Sequence, residues 1–266
     1  MAIAVAFIPY LPKAKLSPSA IRAAFVERWP EAAALTVSKK EKANDQIVLD
    51  LDEQTSFIAQ IVRAPIPTND LEAMCSRAWM WPGAPAQLKP CVGHLIVTCI
   101  NPDESPFHQA IQLTRFCTAI LATCPEAPGV MWGAIGHLVP SQMFQEFATT
   151  VMNEGPAWYI WADFQEGNVG NGRTSGYTRG LSEFGLMEFE AENTPEPPGE
   201  LRERFFGLAM YLHENGPVIR DGDTIGEDEN ERIRVRYSPS KFGAAGPVMR
   251  LEYEPVQKAK AKGWFG

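Results

Sequence analysis

With 266 residues, 45% hydrophobic and 21% charged side chains, the chain has enough apolar content for a packed core, which excludes disorder as its main state. Its 24 Lys+Arg face 32 Asp+Glu for a net charge of −8, and no Lys/Arg-rich stretch is longer than the alternating Lys258, Lys260 and Lys262. Neutralising phosphates takes clustered cations, so no nucleic-acid partner is expected and a basic protein partner is favoured.

The apolar start, residues 2–9, lacks a basic lead and is too short for a secretion signal. No stretch approaches the roughly 20 apolar residues that span a bilayer. Cys75, Cys91, Cys99, Cys117 and Cys124 contain no C-x-x-C pair, so free buried thiols are expected rather than disulfides or a metal site. Together these readings place the protein in the cytoplasm, with no membrane partner and no cofactor.

A strand is predicted over 3–8. Ser17 then offers an oxygen to the free N–H groups of a helix whose first residue, Pro18, has none to satisfy. Ile21, Ala24, Phe25 and Trp29 recur at helical spacing up to Pro30. Short strands follow at 35–38, 47–51 and 57–63, with a helix capped by Asn69 or Asp70 and running to Trp79. The Pro/Gly-rich stretch 81–91 reads as a linker.

Beyond it the same grammar returns. A strand over 94–100 leads to Ser105-Pro106 and a helix carrying Phe107, Ala110, Ile111, Thr114, Cys117, Leu121 and Cys124 on one face. Trp29-Pro-Glu-Ala32 and Cys124-Pro-Glu-Ala127 end the two helices alike, so the segments read as a duplication, although such caps and stops are common on their own. The predicted fold is α+β: an N-terminal lobe at 1–80, a C-terminal lobe at 92–255 and a flexible tail at 256–266. Each lobe is a mostly antiparallel sheet with helices on one face.

Within the second lobe, strands are predicted at 130–138 and at the aromatic stretch 157–164. A helix covers 141–152, an extended segment 177–192, a helix 199–213, and strands 232–237 and 248–253. The glycines of 167–172 do not lead into a helix, so a surface loop is favoured over a phosphate cradle. Asp221-Gly-Asp-Thr-Ile-Gly226 begins like a calcium loop, but Ile225 and Arg232 occupy ligand positions. Asp221, Asp223 and Asp228 are therefore read as a solvated acidic turn that attracts a basic partner.

Ser182 lies between Gly180 and Gly185 but misses the nucleophile elbow. A hydrolase with a pocket between the lobes, pairing it or a cysteine with His94 or His137, is kept as an alternative without assigned catalytic residues, as is a small-ligand sensor marked by a closed apolar cavity. From Leu186 onward the chain alternates. Met187, Phe189 and Ala191 point one way, and Glu188, Glu190 and Glu192 the other. Such a row is either the wet face of a half-buried strand or an acidic strip for a basic protein, with Tyr177, Arg179, Trp158 and Trp161 as interface anchors.

The strand and helix from His94 to Leu121, Gly129-Val-Met-Trp-Gly133, Pro156-Ala-Trp-Tyr-Ile160 and Tyr177-Thr-Arg-Gly-Leu-Ser-Glu-Phe-Gly185 with Glu188-Phe-Glu190 resemble the bacterial domain-of-unknown-function family 4261, over about 92–237. That resemblance implies no reaction and no catalytic residue. The Gly-Leu-Ser…Glu-x-Glu segment is also faintly similar to the suppressor-of-fused-like superfamily, many of whose bacterial members look like immunity proteins. It implies a non-enzymatic protein-binding module: an immunity protein, or an adaptor of a toxin or contact-dependent secretion system.

Overall fold

The apolar run Ala4–Tyr10 forms strand β1, and the Ser17 hydroxyl behind it accepts the Ala20 N–H at the head of helix α1, Pro18–Arg28. The computed structural model describes residues 4–12, 14–38, 45–133, 135–226 and 231–253; the tail expected at 256–266 and Asp228 lie outside them. The fold is α+β, built on two sheets in two units, Met1–Asp163 and Phe164–Gly266.

In the first unit a 3-10 turn, Pro30–Ala32, follows α1. Strands β2 (Thr36–Val37), β3 (Gln46–Asp50) and β4 (Ser56–Val62), helices α2 (Thr68–Cys75) and α3 (Ala84–Leu88), and strand β5 (Gly93–Ile100) come next. Helix α4 (Pro106–Thr123), strands β6 (Gly129–Trp132) and β7 (His137–Pro140), and helices α5 (Ser141–Thr149) and α6 (Trp158–Trp161) complete it. The sheet order is β2-β3-β4-β5-β1-β6-β7, antiparallel at each junction.

Alternation decides the core. Ala6 and Ile8 of β1, Phe57 and Ala59 of β4, and Val97 and Cys99 of β5 are fully buried, and α1 and α4 pack together over that face. Phe57 joins the layers, with ring centroids 5.4 Å from Phe25 of α1 and 5.0 Å from Phe116 of α4. Phe7, between Ala6 and Ile8, faces the other side and packs against a separate cluster of Trp81, Ala84, Leu88, Cys91, Met131 and Leu138.

The structure departs from two of the expectations. Residues 81–91 are not a linker: Trp81, Ala84 and Leu88 are buried core, and Pro85 sits in the first turn of a helix instead of breaking the chain. The two Ser-Pro segments are not separate lobes either. β1 pairs with β5 from Ala4↔Cys99 to Tyr10↔Gly93, so both belong to one sheet, and the division of the chain falls after Asp163.

Strand β8 (Asp163–Gly170) crosses into the second unit, followed by β9 (Arg173–Arg179), a 3-10 turn (Leu181–Phe184), β10 (Phe189–Thr194) and α7 (Pro198–Asn215). β11 (Thr224–Ile225), β12 (Ile233–Pro239) and β13 (Pro247–Tyr253) complete it. The order is β11-β12-β13-β10-β9-β8, with β10 parallel to β13.

Gly170, Asn171 and Gly172 all take positive φ, the conformation a tight hairpin demands. The glycine-rich stretch is thus the turn between β8 and β9. Helix α7 buries Leu201, Phe205, Ala209 and Leu212 on the sheet. It comes so close at Gly176 that a Cβ there would sit 2.9 Å from Leu201 and 3.1 Å from Phe205. Among the described residues no helix is long and apolar enough to cross a membrane.

Candidate functional site

The alternating carboxylates after Leu186 do not form an exposed strip. Glu188 and Glu190 are 6% and 1% exposed, while Glu192 is half-buried. A buried carboxylate must be paired or hydrogen-bonded, and each of the first two holds a loop. Glu188 Oε2 accepts the Thr178 hydroxyl at 2.8 Å, and Oε1 accepts the Gly180 N–H at 2.9 Å. Oε1 also accepts the Ser182 N–H at 3.0 Å and the Ser182 hydroxyl at 2.9 Å.

This clamp closes the 180–185 loop, whose ends, Gly180 and Gly185, are left-handed. The Thr-x-Gly-Leu-Ser…Glu spacing is therefore a structural device. The Ser182 hydroxyl is turned to a carboxylate rather than to an imidazole.

Glu190 holds the segment between β12 and β13. It accepts the Ser240 hydroxyl, the Lys241 N–H at 3.0 Å and the Phe242 N–H at 3.2 Å, and it pairs with Arg250 at 3.5 Å. Glu192 pairs with Lys241. Tyr177, opposite Glu190 in the ladder, stacks on Phe242 at 4.9 Å and 15°. Arg179 is half-buried at the end of β9.

The expected acidic turn is likewise integrated. Asp221 Oδ1 accepts the Tyr237 N–H at 2.8 Å, and Asp223 Oδ2 accepts the Arg220 N–H at 2.7 Å. Gly222 and Asp223 bond on to Val235. The turn thus covers the β12 edge that two-residue β11 is too short to protect, although Asp221 and Asp223 remain exposed.

The aromatic stretch forms the single helical turn α6 rather than a strand, since a four-residue apolar run carries no period to tell the two apart. Trp158 and Trp161 are fully buried, with rings at 6.0 Å and 85°, and the Trp161 indole N–H donates to Thr114 Oγ1 at 2.8 Å. Neither is an interface anchor.

His137, in the first unit, is 3% exposed. Its Nε2 lies 3.0 Å from the Tyr159 carbonyl and its Nδ1 3.5 Å from Asp163. His94 Nδ1 lies 2.9 Å from the Ala64 carbonyl. Cys75 is half-buried and the other four thiols buried. Among the described residues no group of three His, Cys, Asp or Glu side chains is placed to hold a metal.

Among the described residues the second unit contains a groove of about 710 Å³ between α7 and residues 218–226. Tyr211 and Val218, each 47% exposed, line it with Leu208 and Ile225, and Glu203 and Asp223 add carboxylates. Its Arg204 is engaged from behind, Nε on Glu196 at 2.5 Å and Nη2 on Glu231 at 2.6 Å. Burial works against the guanidinium charge, but Glu196, Tyr253 and Glu231 outweigh it and hold Arg204 more firmly protonated than usual.

The groove therefore combines apolar side chains with an acidic excess. Nothing in the heptad-like pattern of α7 singles it out, except that Tyr211 falls outside the buried stripe just before the Asn215-Gly216-Pro217 stop.

Residues 177–252 match a family described as Domain of unknown function (DUF4261). The match lies within the second unit and contains both carboxylate clamps and the groove, whereas the expected resemblance of residues 92–176 falls outside it. No curated protein and no solved structure matches the chain.

Proposed function

We propose that the chain is a non-enzymatic binding protein, and that its partner is a protein presenting apolar side chains beside basic ones to the groove along α7. One observation carries this reading: exposed Tyr211 and Val218 line the groove together with the carboxylates of Glu203 and Asp223, while the cation in the wall, Arg204, is neutralised by Glu196 and Glu231. Aromatic anchors ringed by charge are the make-up of protein interfaces, and uncompensated carboxylates steer a cationic surface. A toxin held by its basic face, or a component of a contact-dependent secretion system, is the sharper form of that partner. The buried free thiols suit the reducing cytoplasm.

The test is affinity capture from the native cell with wild type and with Glu203→Lys/Tyr211→Ala, which alters only exposed side chains. A stoichiometric partner whose affinity drops roughly tenfold or more in the variant, and drops again with added salt, supports the reading. Equal capture by both proteins, or no stoichiometric partner, overturns it.

A further inference from the structure

The first unit contains a cavity of about 650 Å³ where α2, α3 and the end of β1 meet, within the roughly 300–1,000 Å³ range of small-molecule sites. Ile66, Leu71, Leu88 and Cys91 give it an apolar lining. Pro9, Pro65 and Pro85 stand in its walls and offer no N–H to a ligand. Helix α2 runs along it without burying a single residue. Leu71 and Cys75 are only partly covered although they pack against the Trp81–Leu88 cluster. An apolar helix face left half-covered beside a cavity is surface that an apolar occupant would take from water.

The polar groups narrow the class. Glu72 and Lys89 put one charge of each sign at this site, both exposed, so neither a cationic nor an anionic ligand gains. Thr68 and Ser76 supply hydroxyls, the latter already donating to the Ala73 carbonyl and keeping its oxygen as an acceptor. We propose that this cavity binds an uncharged apolar molecule with one hydroxyl or carbonyl, of the class of an aliphatic alcohol or ester. The occupant is a small molecule because a polypeptide would bring a run of amide and carbonyl groups, and the polar side chains among the proline and aliphatic walls are too few to pair them.

The whole chain is titrated with the neutral dye Nile red and then with 1-dodecanol, dodecanoate or dodecylamine as competitors. Saturable one-to-one dye binding is expected, displaced by dodecanol at least tenfold more effectively than by either charged analogue. Dodecanol also slows alkylation of Cys75 in the wild-type protein. Leu71→Trp and Ile66→Trp, each filling the cavity from a partly exposed position, weaken dye binding at least tenfold with unchanged circular dichroism. No saturable binding, equal displacement by a charged analogue, or unaltered binding in a folded variant overturns the proposal. Should both variants fail to fold, unprotected Cys75 in the wild type overturns it alone.

Discussion

Ser182 gives both its backbone N–H and its hydroxyl to the same carboxylate oxygen of Glu188, at 3.0 and 2.9 Å. Thr178 and Gly180 donate to that carboxylate too, so removing it strands several donors at once. Glu188→Ala is expected to cost about 3 kcal/mol or more, and Ser182→Ala, which deletes one donor, about 1 kcal/mol. Urea unfolding of the two variants measures the difference; equal costs would refute the clamp.

Arg204 stands between two carboxylates that face each other once it is gone. Arg204→Leu removes the guanidinium that Glu196 and Glu231 both bind and is expected to lose about 3 kcal/mol. Arg204→Lys recovers only part of this, because one ammonium does not reproduce the guanidinium fork. Thermal unfolding should rank wild type above Arg204→Lys and Arg204→Leu last.

Gly129 is a place where the backbone must come close. A Cβ there would lie 2.5 Å from the Trp81 ring and also meet the Val139 carbonyl. Gly129→Ala should destabilise by about 2 kcal/mol, and Trp81→Ala by about 3 kcal/mol. The double variant should lose less than the two combined, since removing the ring relieves one of the two clashes. Additive losses would show that the ring is not what excludes the methyl group.

Burial raises the thiols. Cys91 is pushed up to about 11, and Cys99 to about 12 by burial with the charges of Asp52 and Glu104 adding to it. At pH 8 about one Cys91 in a thousand is therefore thiolate. Iodoacetamide should label half-buried Cys75 first, and mass spectrometry reads the order.

The sign of the stability effect follows. Unfolded thiols lose their protons near pH 8.5 while the folded ones keep them, so above that pH the unfolded state binds fewer protons and is favoured. Stability should decline from about pH 8.5 through pH 11, less steeply in Cys99→Ala.

Local chemistry was readable in the sequence. Ser17-Pro18 and Ser105-Pro106 start helices where predicted, because a cap needs only a side-chain oxygen and its own first turn. Burial was not readable. The prolines and glycine of residues 81–91 look like a spacer until Trp81 is placed over Gly129, a partner distant in sequence.

The site misled for the same reason. Alternation at Glu188, Glu190 and Glu192 correctly marks an extended segment, but whether such a face is wet depends on what folds over it. Ser240, Lys241 and Phe242, which cover Glu190, lie fifty residues further along. The groove was missed because α7 contributes one wall and residues 218–226 the other.

The pairing of β1 with β5 sets an order of events during synthesis. β1 leaves the ribosome before the other strands of its sheet, yet its ladder partners are residues 93–99 and 131–132, so it waits as an unpaired apolar strand while β3 and β4 join as a local hairpin. Central pairing of the first unit is thus a late, non-local step, the kind that slows folding and exposes a nascent chain to aggregation. Translation pauses before residue 100 would prolong that exposure, and pauses after residue 140 would not.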